Sequence, residues 1–369
     1  SNWFSKAWND YSLSEYLDFK NGLNPDVKRI GRGLPFISVM DILADGTINN
    51  DSIRGKVEAT EREIENFSVE KGDILFQRSS ETLEDVGRAN VYMDNRTAVY
   101  GGFVIRGRKI GDYNPLFFKY LLSTPLARKR TCRMGAGAQH FNIGQDGLSK
   151  ISLCFPLMEE QNKIARLLSL IDERIATQNK IIDKLQSLIK GLRVCCMQRN
   201  GSDNVYLSEI AQIYQPQTIS SAELTEDGFL VYGANGIIGK YKDYNHKTEQ
   251  ICITCRGNTC GMVNYTKPMS WITGNAMVIN TDKYQDKVYK KYLYHYLSAY
   301  NFNSIISGSG QPQIVRTPLE KLKITLPTIS EQKQKAMILD KVQDKIEINH
   351  NILNLYILQK QYLLRQMFI

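Results

Sequence analysis

The sequence contains little of what hydrolytic enzymes and membrane proteins need. Only four histidines occur among 369 residues, and none forms a recognisable pair with a nucleophile. No apolar run approaches the ~20 residues of a membrane-spanning helix, and no signal-peptide pattern is found. The seven cysteines are odd in number and lack the spacing of a disulfide framework. We therefore expect a soluble protein of the reducing cytoplasm, with no membrane contact.

Motifs for nucleotide, methyl-donor or metal binding are also missing or incomplete. No Walker A sequence is present, and residues 114–117 (Asn-Pro-Leu-Phe) lack the second proline of the amino-methyltransferase box. A helix with asparagine at its N-cap and proline in its first turn explains these residues better. Cys252, Cys255 and Cys260 suggest zinc, but the spacing of the first two on a predicted strand turns them to opposite faces, and no fourth ligand has suitable spacing. We expect no catalytic residue, metal site or cofactor in this chain.

What the sequence does contain is a long internal repeat. A shift of about 171 positions superposes Glu160-Gln161 on Glu331-Gln332, and a proline, Pro156 or Pro327, precedes each pair at the same distance. Self-similarity over such a period indicates a duplicated architecture.

Each copy of the repeat continues into a predicted long helix. Apolar residues keep the four-and-three spacing of a heptad seam, as in Ile164, Leu168, Ile171, Ile175, Ile182, Leu185, Ile189 and Leu192, and again in Leu339, Val342, Ile346, Leu353, Tyr356, Leu363 and Met367. Some ~38 residues at ~1.5 Å each give a rod of roughly 57 Å. The alternative is two ordinary amphipathic helices buried in separate domains, although most globular helices are far shorter. We expect an antiparallel coiled coil.

One polar residue interrupts the middle of each seam. The same shift places Gln178 on Asn349. A buried amide in a seam costs stability but can fix register and orientation. We expect these two amides to lie near the centre of the helix pair and to fix its register.

The repeat predicts two globular units of mixed α/β structure in a pseudo-two-fold repeat, separated by the two-helix coiled coil. The predicted segments are a first unit at 1–155, a helix at 156–199, a second unit at 200–326 and a helix at 327–369, with a linker at 200–203. Short apolar runs predict strands, among them 35–39 and a strand pair within 99–105.

The charge pattern favours a polyanionic partner. The net charge is +9, and Asp112 is the only acid between residues 96 and 133, a segment rich in arginine and lysine. Such a segment favours phosphate binding over an ordinary solvated face. The predicted phosphate ligands are Arg106, Arg108, Arg128, Arg130 and Arg133, with Lys240 in the second unit.

Residue types that read base edges cluster at corresponding places in both units. Arginine suits guanine, and asparagine or glutamine suits adenine. The predicted readers are Gln77, Arg78, Ser79, Gln139, His140 and Asn142 in the first unit, and Arg256, Asn258, Gln311, Gln313 and Arg316 in the second. The alternative is turn chemistry, because these residues are common in loops for backbone reasons.

These features together resemble the DNA-specificity subunit of type I restriction–modification systems. The marks are residues 72–75 (Gly-Asp-Ile-Leu), the Gly-rich stretches at 135–142 and 308–313, and the duplicated exit from proline to Glu-Gln. The second unit departs from the pattern, since Glu249-Gln250 stands where Gly-Asp is expected.

The resemblance implies that each unit reads one half of a bipartite, asymmetric site in double-stranded DNA, with the helices as a ruler for the spacer. It further implies docking of two methyltransferase subunits, which carry S-adenosylmethionine, and of two restriction–translocase subunits, while this chain catalyses nothing. The alternatives are a coiled-coil scaffold with two protein-binding heads, a piece of a single-chain restriction enzyme, and a stand-alone adenine methyltransferase.

Overall fold

The chain forms two compact units, and each long helix contributes to both. The computed structural model describes residues 8–137, 139–197, 203–234, 236–308 and 310–368. The first unit contains residues 1–179 with 352–369, and the second contains 180–351. Most of the predicted linker, together with Ala138 and Ser309 of the Gly-rich stretches, lies outside the described residues. Among the helices of the described segments, none is both long and apolar enough to cross a membrane.

The first unit is built from eleven short strands and the helices between them. The strands are β1 Asn9–Ser12, β2 Leu17–Asn21, β3 Ile30–Ile37, β4 Lys56–Val57, β5 Ile74–Gln77, β6 Ser79–Ser80, β7 Ala89–Val91, β8 Val99–Tyr100, β9 Val104–Lys109, β10 Phe141–Asn142 and β11 Ser152–Phe155. The helices are α1 Val39–Leu43, α2 Glu61–Phe67, α3 Pro115–Ser123, α4 Pro125–Cys132, α5 Gln145–Ser149 and the long α6 Met158–Met197.

A buried central strand organises the first unit. Strand β5 lies inside an antiparallel sheet of order β2-β9-β5-β7, beside a smaller sheet of order β4-β3-β8. Its four residues are all buried because both faces carry core clusters: Ile74 and Phe76 belong to one, and Leu75 to the other. Helix α3 starts as predicted, with the Asn114 side chain accepting a hydrogen bond from the Phe117 amide.

Two strand predictions in this unit were wrong in detail. The strand expected at 35–39 ends at Ile37, because Ser38 caps helix α1 and its amide donates to Asp41 Oδ2 at 2.7 Å. The apolar run at 99–105 does form two strands, but they do not pair with each other. Strand β8 lies parallel to β3, whereas β9 lies between β2 and β5.

The second unit repeats this plan with different residues. Its strands are β12 Asp203–Tyr206, β13 Gln212–Tyr214, β14 Phe229–Gly233, β15 Gly236–Tyr241, β16 Ile251–Thr254, β17 Val263–Tyr265, β18 Trp271–Ile272, β19 Ala276–Asn280 and β20 Lys323–Leu326. Its helices are α7 Lys290–Ala299, α8 Arg316–Glu320 and the long α9 Ile329–Met367. The sheets run β13-β19-β16-β17 and β15-β14-β18, so β16 is the counterpart of β5 and β19 of β9.

The two predicted long helices are confirmed as α6 and α9, and within each unit they pack side by side. In the first unit, Trp8 contacts both the start of α6, through Glu160, and the end of α9, through a ring contact with Phe368. Further along, Lys360 forms an ion pair of 2.5 Å with Asp172, which also accepts a hydrogen bond from the Tyr120 hydroxyl. The start of one helix therefore lies beside the end of the other.

The pairing is antiparallel in the second unit as well. Lys335 Nζ donates to the Cys196 carbonyl oxygen at 2.7 Å, near the start of α9 and the end of α6. An apolar cluster of Ile189, Leu339 and Ile346 follows along the seam. The mid-seam amides Gln178 and Asn349 are 7% and 9% exposed, and their role in fixing register stays a prediction.

Candidate nucleic-acid interface

In the first unit, the loop that leaves the buried strand pairs with the Gly-rich stretch. Strands β6 and β10 are antiparallel, with Ser79 opposite Asn142 and their side chains hydrogen bonded to each other. Asn142 also exchanges two backbone hydrogen bonds of 2.9 Å with Ala136, which closes a tight loop. A Cβ at Gly137 would lie 2.0 Å from the His140 carbonyl oxygen, and φ there is +142°. The turn therefore requires glycine.

The second unit builds the same arrangement from other residues. Arg256 lies antiparallel to Gln313, which exchanges backbone hydrogen bonds of 2.9 and 2.8 Å with Ser307. Gly308 has φ of +93°, and a Cβ there would lie 2.5 Å from the Gln311 carbonyl oxygen. We call residues 78–80 with the described residues of 136–142, and 255–258 with the described residues of 307–313, the paired loops. The two clusters that the sequence predicts come together, separately in each unit, on these loops.

In the first unit the predicted readers differ in accessibility. Gln139, His140 and Asn142 are exposed, and Arg78 and Ser79 are half-buried. The exposed three can meet a ligand directly.

Gln77 lies behind the first unit's paired loops. It is 5% exposed, and its Nε2 donates to the Ser79 carbonyl oxygen at 2.9 Å. Its Oε1 has no hydrogen-bond partner among the described residues. Gln77 therefore positions the loop from behind.

In the second unit the predicted readers on the loops all reach the surface, and they are Arg256, Asn258, Gln311 and Gln313. Arg316, at the start of α8, is 61% exposed and forms an ion pair with Glu320 at 2.7 Å. Lys240 lies on β15, outside the paired loops, with its Nζ 3.5 Å from Asp227.

Several predicted phosphate ligands are instead used inside the first unit. Arg106 is 6% exposed, donates to the Ser68 carbonyl oxygen and lies 5.5 Å from the centroid of the Tyr100 ring. Arg108 donates to the same carbonyl oxygen at 2.8 Å and forms an ion pair of 3.1 Å with Asp73. The structure does not bring these two guanidinium groups to the paired loops.

The arginines of helix α4 are divided between interior and surface. Arg128 donates to the carbonyl oxygens of Glu84 and Val86, and burial lowers its pKa. Arg130 forms an ion pair with Asp10, whereas Arg133, the residue that follows the helix, is exposed. Acids from other parts of the chain, Asp73 and Asp10, meet Arg108 and Arg130 of this segment, although few acids lie near them in sequence.

Sequence reasoning missed the role of the glutamine in each Glu-Gln pair. Gln161 is 2% exposed; its Oε1 accepts from the Asn114 amide at 3.0 Å, and its Nε2 donates to the Pro156 carbonyl oxygen at 2.9 Å. Gln332 is fully buried and accepts from the Tyr289 amide at 2.7 Å. Each glutamine therefore ties the first turn of a long helix to the start of α3 or α7. The duplication of Glu-Gln was the available signal.

A second junction in the second unit uses a buried histidine. His295 Nε2 lies 2.9 Å from Asp340 Oδ1, and Arg193 Nε donates to His295 Nδ1 at 3.2 Å. A ring nitrogen that accepts from arginine must carry a lone pair, so this imidazole is neutral. Burial lowers the pKa of His295 more than the hydrogen bond to Asp340 raises it. Lys291 supplies the positive charge that Asp340 needs, at 2.9 Å.

The described segments contain no group of three or more His, Cys, Asp or Glu side chains placed to hold a metal ion. Cys252 and Cys255 lie in separate apolar clusters, in agreement with the prediction that they point to opposite faces.

Fold and loops together define a class: duplicated α/β units on shared antiparallel helices, each unit presenting polar side chains on a pair of glycine-dependent loops. The chain belongs to the family of type I restriction modification DNA specificity domains, whose sequence profile matches residues 5–187 and 200–355. It is similar along most of its length to the type I restriction enzyme MjaVIII specificity subunit of Methanocaldococcus jannaschii, with 24% identity over 92% of this chain and 87% of that subunit.

Other similarities are shorter or concern the fold alone. The chain is 32% identical to the type I restriction enzyme EcoprrI specificity subunit of Escherichia coli, and this match spans 37% of the chain and 34% of that subunit. The type I restriction–modification S subunit from M. genitalium has a similar fold, with a TM-score of 0.68 at 16% identity, covering 100% of this chain and 97% of that one. A chain from a structural study of the assembly and conformational transition of a type I system also has a similar fold. Its TM-score is 0.58 at 14% identity, and the match covers 98% of this chain and 97% of that one.

Proposed function

We propose that this chain reads a bipartite, asymmetric sequence in double-stranded DNA, with one half-site for each unit. The observation that carries the proposal is the recurrence of the paired loops: the same backbone hydrogen bonds hold different polar side chains at the surface of both units. A shared frame with unlike side chains suits two readers of unlike half-sites, since base edges are distinguished by the donors and acceptors that meet them.

The exposed side chains have the chemistry for such reading. The amides of Gln139, Asn142, Gln311 and Gln313 can each donate and accept at an adenine edge, and the guanidinium of Arg256 can donate twice to guanine. His140 adds a further polar group in the first unit. Exposed Arg133 and Arg316, with the half-buried Lys240, supply charge for phosphate contacts, which set position without reading sequence. Family membership supports this assignment, because the matched family is one of DNA specificity domains.

The long helices complete the proposed function. Held antiparallel, they set the length of the unread spacer between half-sites and offer docking surface for two methyltransferase subunits and two restriction–translocase subunits. S-adenosylmethionine then belongs to the methyltransferase partners, and this chain takes part without catalysis. The names of the relatives, which are specificity subunits, support this division of roles.

Selection from a random duplex library with the purified full chain tests the reading. We expect enriched DNA to show two blocks of preferred bases separated by a gap of fixed length. Gln139→Ala should change preference only in one block, and Gln311→Ala only in the other. Gln186→Ala, an exposed residue on α6, serves as the matched control and should change neither. Enrichment of a single uninterrupted block, or of no sequence, contradicts the proposal.

A salt series separates DNA binding from the scaffold alternative. Neutralising phosphates releases counterions, so log affinity must fall linearly with log salt concentration. Six or more phosphate contacts lower affinity by roughly 1,000-fold between 50 and 200 mM salt. A chain that shows no duplex binding at the low-salt end of the series would favour a scaffold with protein-binding heads.

A further inference from the structure

One exposed aromatic side chain stands beside the paired loops of the first unit. Phe103 is 68% exposed, although it sits in a tight turn between β8 and β9. A Cβ at Gly101 would lie 2.9 Å from the Phe36 ring, and one at Gly102 would lie 1.8 Å from Asn24 Oδ1. These close approaches, together with the hydrogen bond of 2.9 Å from the Val104 amide to the Gly101 carbonyl oxygen, fix the backbone of the turn that presents Phe103 at the surface.

Backbone hydrogen bonds of Arg78, a residue of the paired loops, connect this turn to them. The Arg78 amide donates to the Phe103 carbonyl oxygen at 2.9 Å. The Arg78 carbonyl oxygen accepts from the Ile143 amide at 3.0 Å, and Ile143 directly follows Asn142. The Arg78 side chain adds a hydrogen bond to the Gly102 carbonyl oxygen at 3.3 Å. Phe103 is thus fixed next to the predicted readers of the first unit.

The second unit has the same connection with a different exposed residue. The Cys255 amide donates to the Asn275 carbonyl oxygen at 3.1 Å, and the Cys255 carbonyl oxygen accepts from the Ile314 amide at 3.0 Å. Asn275 directly precedes β19, as Phe103 directly precedes β9, and each of these strands pairs with the buried strand of its unit. Asn275 is exposed. The two residues therefore occupy one equivalent position in the repeated frame.

We propose that Phe103 and Asn275 are base-contacting residues that set specificity, one in each half-site; this rests on the proposed function. A phenyl ring can contact the 5-methyl group of thymine, whereas an asparagine side chain can donate to adenine N7 and accept from the adenine N6 amino group. The first half-site then carries a thymine, and the second an adenine, at the base pair that meets this position.

A single exposed apolar side chain is common on protein surfaces and needs no function by itself. Two observations separate Phe103 from that case. Its carbonyl oxygen accepts a hydrogen bond directly from Arg78 of the paired loops, and the same position recurs at the surface of the second unit. A docking spot for another protein does not account for that recurrence, because phenyl and carboxamide groups attract different partners.

Library selection with single-residue variants tests the inference. For Phe103→Asn we expect the thymine preference at one base pair of the first half-site to fall about fivefold or more, with the second half-site unchanged. Phe103→Leu keeps an apolar group and should retain most of that preference. Asn275→Ala should lower an adenine preference in the second half-site alone. Met40→Ala, which removes another exposed apolar side chain from the first unit (75% exposed), is the control.

The outcomes are distinguishable. If the unaltered chain selects no bipartite sequence, the proposed function fails and the inference falls with it. If the unaltered chain selects both half-sites, and Phe103→Asn and Asn275→Ala select the same ones, only the inference is overturned. A uniform loss of affinity without altered base preference also overturns it, since that result indicates contact with the DNA backbone or a change of loop shape. Substitutions at exposed positions generally change stability little, and circular dichroism checks that each variant is folded.

Discussion

Replacing Gln161 with leucine should detach one unit from its helix while leaving the other unit intact. Leucine has nearly the volume of glutamine, so the site stays filled. What it lacks is the carboxamide that meets the Asn114 amide and the Pro156 carbonyl oxygen inside the first unit. The Pro156 carbonyl oxygen is then left buried, and the Asn114 amide partly buried, without their partner.

The size of the effect follows from those two groups. A buried polar group that loses its partner costs about 1–3 kcal/mol, partly offset here by the extra apolar surface that leucine buries, so we expect about 2–4 kcal/mol. Since 1.4 kcal/mol corresponds to a tenfold change in an equilibrium constant, the equilibrium constant for local opening at the start of α3 should rise about 30-fold or more. Gln332→Leu should cost more, because Gln332 meets the Tyr289 amide and two carbonyl oxygens, those of Lys287 and Pro327.

Hydrogen exchange measured by mass spectrometry resolves the two units. Gln161→Leu should speed exchange in peptides that contain residues 114–123 and leave those that contain residues 289–299 unchanged, and Gln332→Leu should do the reverse. Gln186→Leu and Gln334→Leu alter exposed glutamines on the same helices and should leave both regions protected. Equal acceleration in both units, or none in either, would refute the idea that each glutamine locks its own unit.

Three further predictions address acidity, spacing and register. Burial lowers the pKa of His295 in the folded chain, so the unfolded chain binds more protons as the pH falls towards and below the ordinary histidine pKa of about 6.5, and the second unit loses stability there. Protection factors of α7, which divide out the intrinsic pH dependence of amide exchange, should fall with pH over this range and should lose that dependence in His295→Gln. One heptad inserted after residue 179 and another after 351 lengthens both helices by about 10 Å, so the selected spacer should grow by about three base pairs with half-sites unchanged. The double variant Gln178→Leu with Asn349→Leu should raise the stability of the helix pair but allow more than one register. Cysteines placed along the seam should then cross-link in more than one pairing. A single register in that variant would count against the prediction.

Local periodicity was sufficient to predict the parts of the fold that depend on it. The heptad spacing predicted the long helices α6 and α9, because proline before each helix and apolar spacing along it are local features. The Gly-rich stretches were also recognised, since a glycine at φ of +142° or +93° is a local requirement of the turn. The residues of the paired loops were predicted because polar side chains of the same types occur at matching positions in the two copies of the repeat.

Long-range partners explain what sequence analysis missed. Arg106 and Arg108 were predicted to bind phosphate because no acid lies near them in sequence, yet Asp73 reaches Arg108 and the Ser68 carbonyl oxygen reaches both across the sheet. Phe103 and Asn275 share no chemical property, so only the hydrogen-bond register shows that they are equivalent. The roles of Gln161 and Gln332 likewise depend on backbone groups at least 40 residues away.

The repeated frame separates folding from recognition. Backbone hydrogen bonds at equivalent places hold unlike side chains in the two units, as in Ser79 and Arg256, Asn142 and Gln313, Arg78 and Cys255, and Phe103 and Asn275. The frame depends on glycines, buried strands and a buried glutamine in each unit, none of which presents a side chain to a ligand. Surface side chains on the paired loops can therefore change with small cost in stability, while the hydrogen bonds that position them remain. Under the proposed function, a chain organised in this way can acquire a new half-site in one unit without altering the other.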